Sequence, residues 1–153
     1  MDPARMEELF RTHRDAERQR DFDGIMQTFT HDCYLETIAL GSRSEGREAA
    51  RTAYVAYFTA FPDLSPEDVG MAFGDNALVS WGLLNGTSGG DWLGVPPSGR
   101  SFSVPFTNVA TFAGDLMHGE SIYFDLATLC EQTRLPLDTI RTAAKERAQA
   151  ARQ

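Results

Sequence analysis

The chain has 153 residues, enough for one domain with a core of its own. Its composition, 42% hydrophobic and 24% charged, excludes a disordered chain, and no stretch reaches the roughly 18 apolar residues of a membrane span. A net charge of −8 argues against a nucleic-acid partner, because phosphate binding needs clustered Lys and Arg.

The N-terminal ten residues lack the apolar stretch of a secretion signal, and Cys33 and Cys130 stand far apart in no metal or redox motif. Both read as buried free thiols of a cytoplasmic protein. Met6, Leu9, Phe10, His13 and Glu17 recur at spacings of three and four, which predicts a helix over about residues 3–20 opened by Asp2-Pro3. His13 sits on the apolar stripe with Glu17 one turn further on. Either it is a buried histidine tied to a carboxylate or carbonyl, or it points into a cavity. A short helix is expected over 24–29 with Asp23 as its cap, and His31 in the loop that follows reads as surface.

Residues 33–40 read as a strand with Tyr34, Glu36 and Ile38 on one side. Glu36 either meets solvent or enters a pocket. Residues 41–46 read as a turn and 47–60 as a helix whose aromatic stripe ends at Phe61-Pro62. Strands are expected over 67–73, 77–87, 101–112 and 116–125. On them Trp81, Leu83, Asn85 and Thr87 share one face, as do Phe102, Val104, Phe106 and Asn108, and as do His118, Glu120, Ile122 and Phe124. The loop 88–100 is too rich in Gly and Pro for a strand and lacks phosphate-loop spacing. Trp92 within it either packs on the sheet edge or serves as a lid. Gly82, Gly86 and Gly119 are candidate kink points, and Asp125 is explained as a helix cap. The layout is α+β, with a curved antiparallel sheet whose polar concave face suits a small molecule.

These pieces, in this order, resemble the SnoaL-like branch of the NTF2-like superfamily, which holds polyketide cyclases and relatives of ketosteroid isomerase. The resemblance rests on His13-x-x-Ala16-Glu17, Asp21-x-Asp23-x-Ile25-Met26, Gly46-Arg47-Glu48-Ala49, Phe61-Pro62-Asp63-Leu64 and Gly86-Thr87. It continues with Gly94-x-Pro96-Pro97-Ser98-Gly99-Arg100 and Ile122-Tyr123-Phe124-Asp125. It implies a cone-shaped α+β barrel over residues 1–135, about three helices wrapped by a strongly bent sheet, pairing of two copies through that sheet, and no metal or other cofactor. The strand position that holds the cyclase acid is Ile122 here, its usual histidine is Glu120, and the usual Thr-His pair of the loop is Thr87-Ser88.

A carboxylate on an apolar wall is expected to have a raised pKa, so the catalytic candidates are Glu120, Glu36 and His13. Tyr34, Trp81, Asn85, Phe106, Asn108, His118, Ile122 and Phe124 are expected to line the substrate site. The expected function is cofactor-independent acid/base chemistry (cyclisation, isomerisation, dehydration or epoxide opening) on a small, mostly apolar metabolite. The alternative is a binding or dimerisation module without chemistry. Residues 136–153 read as a helical extension, solvated or packed on a second subunit.

Overall fold

In the computed structural model, which describes residues 1–153, the first helix, α1, spans Pro3–Arg18. Asp2 caps it by accepting from the Arg5 N–H, and Pro3 fills the first turn, where no N–H is needed. Its buried stripe starts apolar, at Met6, Leu9 and Phe10, and turns polar at His13, Arg14 and Glu17. The second helix, α2, spans Phe22–Gln27 and is capped by Asp21 rather than Asp23, since the Asp21 side chain accepts from the Gly24 N–H.

The first strand, β1, runs Phe29–Thr37, so it starts four residues before the expected point and stops three short of the expected end. A 3-10 turn over Ile38–Leu40 follows, and Gly41 at φ 61° reverses the chain. That reversal lays β2, Ser42–Glu45, against β1 where only a turn was expected. Ser-Arg-Ser-Glu carries no apolar alternation, so nothing in its pattern marks a strand. Helix α3 (Arg47–Ala60) leads to β3 (Ser65–Gly74), β4 (Ala77–Thr87), β5 (Ser101–Ala113) and β6 (Leu116–Phe124). Helices α4 (Leu126–Thr133) and α5 (Leu137–Ala151) finish the chain, and Asp125 caps α4 by accepting from Thr128 N.

One sheet of order β2-β1-β6-β5-β4-β3 holds all six strands, antiparallel except for the β1–β6 pair. Its inner face carries Leu78, Ser80 and Leu84 of β4, Phe102 through Phe112 in alternation on β5, and Leu35 and Thr37 of β1. A bulge in the β5–β6 ladder, where Thr111 opposes Gly119 but Phe112 opposes Met117, leaves His118 unpaired. The extra residue shifts the alternation by one, so Met117 and Glu120 are both buried and His118 turns to the outer face. There His118 meets the Tyr34 ring edge-on at 5.6 Å. That ring lies where a Cβ on residue 119 would stand, which is why this position is glycine.

Two apolar clusters fill the interior. One gathers Met6, Phe10, Ile25, Phe29, Leu78, Phe112 and Met117 between α1, α2 and the sheet. The other gathers Phe61, Trp92, Phe102, Val104, Leu129 and Ile140. The C-terminal helix belongs to this second cluster: Ile140 is fully buried and Ala144 nearly so, against α4, β2 and the 3-10 turn. The expected solvated or subunit-packing tail is thus a part of this chain's own core.

A tighter approach, to backbone, is at Gly82, beside the β3–β4 register shift between Asp68 and Gly70. A Cβ there would run into the Glu67 carbonyl oxygen, a backbone atom that cannot swing away. Gly82→Ala is therefore expected to lower stability by about 1–3 kcal/mol, the usual cost of overpacking. Urea unfolding at an unchanged m-value checks it, and a loss below about 0.5 kcal/mol would show that the strand edge yields.

Candidate active site

Between the two apolar clusters lies a layer of polar side chains with almost no access to water. His13, Arg14 and Glu17 descend from α1, Tyr54 from α3, Asn108 rises from β5 and Glu120 from β6. His13 and Glu120 are both 0% exposed. A cavity of about 70 Å³, measured as the space open to the centre of a water molecule, stands on this layer. Glu17, Arg14, Tyr54 and Asn108 form its polar floor. Its walls are mostly apolar, with Leu35, Leu84, Phe106, Ile122 and Phe124 among them, and they include the Thr37 and Tyr57 hydroxyls, bonded to each other at 2.7 Å. Trp92 closes the far end, edge-to-face with Phe61 at 5.0 Å, so it packs inside the second cluster and not on the sheet edge.

The hydrogen bonds fix the protonation of the layer. Thr28 Oγ1 donates to the Ile25 carbonyl at 2.6 Å, so it can only accept from His13 Nδ1 at 2.7 Å. Tyr54 Oη donates to Glu120 Oε2 at 2.7 Å and so presents a lone pair to His13 Nε2 at 3.1 Å. The same Nε2 faces Glu17 Oε1 at 3.2 Å and Glu120 Oε1 at 3.4 Å. Both ring nitrogens must donate, and His13 is an imidazolium. Burial alone would lower its pKa; the Glu120 charge, with Glu17, overrides that and raises it to about 9. Burial would likewise raise Glu120, but His13 and the Tyr54 hydroxyl bring it down to about 2. The expected raised carboxyl pKa is thus reversed, because burial came with two cations and two hydrogen-bond donors.

Glu17 is the one carboxylate that lines the cavity. Burial would raise its pKa, but Arg14, which donates to Glu17 Oε2 at 2.9 Å, and His13 lower it below the usual range. Arg14 also donates from Nε to Asp68 on β3 at 3.0 Å, which ties α1 to the sheet. Tyr54 is held neutral, its pKa raised first by burial and then by Glu120. Asn108 donates from Nδ2 to Glu120 Oε1 at 2.9 Å, and this fixes the orientation of its amide. Its Oδ1 is buried with no partner.

Of the residues expected at the site, Phe106, Asn108, Ile122 and Phe124 line the cavity, and Glu120 and His13 lie directly beneath its floor. The structure does not bring Glu36 to them. Glu36 sits on the outer face, where it accepts from Ser121 Oγ at 2.8 Å and faces Arg43. Tyr34 and His118 share that outer face, Tyr34 bonded to Thr111. Trp81 and Asn85 alternate with the inner residues of β4 and also point outward, Trp81 with 43% of its surface exposed. Alternation groups residues by face; which face is inner depends on where the helices pack. Arg14, Glu17 and Tyr54 were not expected at the site. The i, i+4 spacing of His13 and Glu17 was the available signal for one of them.

His13, Glu17 and Glu120 are also the one trio whose ligand atoms converge closely enough, within 4.8 Å, to hold a cation. Their chemistry fits poorly: a metal would have to displace the Nε2 proton while Arg14 already occupies Glu17. His13 Nδ1 is committed to Thr28.

A family model for the SnoaL-like polyketide cyclases matches residues 7–133. Among solved structures, a candidate SnoaL-like polyketide cyclase from Jannaschia sp. CCS1 superposes with a TM-score of 0.80 at 23% identity, covering 89% of this chain and 97% of that one. A hypothetical protein of ketosteroid isomerase-like fold from Catenulispora acidiphila, solved with trimethylamine, gives 0.75 at 16% identity, covering 86% and 95%. TsrD from Streptomyces laurentii gives 0.74 at 22%, covering 87% and 97%. These likenesses fix the fold. No curated protein matches the chain.

The charge pair under the floor sets a pH window for stability. His13, raised from 6.5 to about 9, contributes fully below pH 6.5 and loses its contribution as pH rises through 9. Glu120, lowered from 4.5 to about 2, contributes above pH 4.5 and loses it as pH falls through 2. The melting temperature is therefore expected to peak between these limits and fall on both sides. His13→Gln should cost about 3–5 kcal/mol by stranding Glu120 and should remove the alkaline limb. A variant that keeps that limb shows that another group produces it.

Proposed function

The chain belongs to the SnoaL-like polyketide cyclase family, and from that premise we propose that it is a cofactor-independent enzyme moving protons on a small, mostly apolar metabolite. Supporting this is Glu17: the single carboxylate lining a mostly apolar cavity, kept ionised by Arg14 and His13. Glu17 is the general base in this reading. Its low pKa makes it a weak one, suited to a proton already acidified by a neighbouring carbonyl, as in cyclisation, isomerisation or dehydration. Arg14 uses Nε, Nη1 and Nη2 on Asp68 and Glu17. Its remaining N–H groups are free to stabilise an oxyanion forming on the substrate. Glu120 and His13 act through Glu17 and Tyr54 as positioning residues. Their lack of water means that they need no reorganisation during the reaction.

A second reading is a binding module without chemistry, favoured by Glu17 being held on both oxygens, one by His13 and one by Arg14. The two are separated by the exchange of 2-tetralone α-protons for deuterium, followed by NMR. The wild-type protein should accelerate exchange and Glu17→Gln should lose about 10²-fold or more. Exchange no faster than in buffer favours binding alone, whereas an unimpaired variant with a native fold removes Glu17 as the base.

We also propose a homodimer paired through the outer sheet face. Trp81 and Tyr123, 43% and 45% exposed, lie in one row across Thr107, with Leu83 next to them. Trp81→Glu should convert a dimer to a monomer in sedimentation velocity; a wild-type monomer at micromolar concentration removes the proposal. The two buried unpaired thiols, Cys33 and Cys130, suit a reducing compartment such as the cytoplasm.

A further inference from the structure

The polar floor holds one buried acceptor that has no partner. Tyr54 spends its proton on Glu120, and Glu17 has lone pairs but no proton. Asn108 is committed by its Nδ2 to Glu120, which cannot donate, so the amide cannot flip and Oδ1 remains an acceptor. That oxygen is buried in a residue of 0% exposure that lines the cavity, and nothing in the protein pairs with it. A buried acceptor left empty carries a desolvation penalty that a hydrogen-bond donor removes. One protein donor faces it across the ladder. Ser80 is directly opposite Asn108 in the β4–β5 ladder, buried, and its Oγ is also without a partner, yet the two do not meet.

From this we infer that the substrate is a hydroxyl-bearing apolar compound, an alcohol, enol or phenol, which donates its O–H to Asn108 Oδ1. The inference rests on the cavity being the substrate site, as proposed above. Asn108 is then the specificity-determining residue: it rejects acceptor-only analogues of the same shape, such as ethers, because they would leave its carbonyl oxygen buried and empty. Apolar surface for the rest of the molecule comes from Phe106, Ile122 and Phe124, which flank Asn108 on β5 and β6. The bound hydroxyl also lies at the floor that Glu17 shares. A donor is therefore held where a proton acceptor waits.

The test is calorimetric titration with 2-naphthol and with 2-methoxynaphthalene, which share a ring system and differ in the donor. Wild-type protein should prefer 2-naphthol at least tenfold. Asn108→Leu should abolish the preference while Glu17→Gln keeps it, which separates the amide from the carboxylate as the acceptor. Equal affinity in the wild type overturns the inference, and means that Ser80 or water fills Oδ1. Binding of neither compound, or a preference that survives Asn108→Leu, also overturns it. Should that variant not fold, a series of ring-substituted 2-naphthols on the wild type replaces it: affinity should rise with hydroxyl acidity, and a flat series counts against a donated O–H. Because these are binding measurements, they can fail while Glu17-dependent exchange of 2-tetralone stands, and the reverse holds as well.

Discussion

The contact between the His13 imidazolium and the Glu120 carboxylate organises the interior. Neither side chain has any exposed surface, so neither charge could persist alone in that position. Glu120 is held by Tyr54 on one oxygen and by Asn108 on the other, and His13 is held by Thr28 behind and the carboxylates in front. One carboxylate thereby fastens α1, α3, β5 and β6 to a single point. Replacing such a cluster with apolar groups can be neutral for stability, whereas removing one partner strands the others. The role that the geometry offers is a floor for the cavity whose dipoles are already oriented.

The bulge at His118 makes this arrangement possible. In an unbroken strand Met117 and Glu120 fall on opposite faces, and either the apolar cluster loses a methionine or the polar layer loses its anion. One unpaired residue resolves the conflict and moves a histidine to the outer face. Gly119 completes the device, since Tyr34 packs over it on the convex side. Sequence pattern alone groups His118 with Glu120, Ile122 and Phe124 by a period of two, and the last three do share the inner face. A bulge has no signal in hydrophobic alternation, which is why one residue of the four is misplaced.

Most of the fold was legible for physical reasons that are local. Asp2-Pro3 and Asp125 announce helix starts, and the long alternating run from Phe102 to Phe112 can only be a strand with one buried face. Three features were not local and were missed. β2 pairs because Gly41 reverses the chain. Glu36 and Asn85 required knowledge of which face the helices cover. The buried Arg14 reads as a surface residue until Glu17 and Asp68 are both placed beside it. Tyr54 belongs to an aromatic helix whose pattern marks nothing polar, yet its hydroxyl is the bridge between His13 and Glu120.

The position where a family resemblance would place the acid, Ile122, is an apolar part of the cavity wall. The last strand therefore contributes no carboxylate to the cavity lining. Glu120, two residues earlier, points the same way but is capped from the cavity by Tyr54 and Asn108, and its pKa of about 2 leaves it with little affinity for a proton. The carboxylate that does reach the cavity comes from the helix side, at Glu17. The charges are arranged in series: Glu120 holds His13 charged, His13 and Arg14 hold Glu17 in place and ionised, and Glu17 is the one carboxylate that reaches the cavity. In the proposed enzyme the base thus depends on an anion that never reaches the cavity, because without Glu120 the imidazolium under the floor would lose its counter-charge and Glu17 would lose one of its two supports.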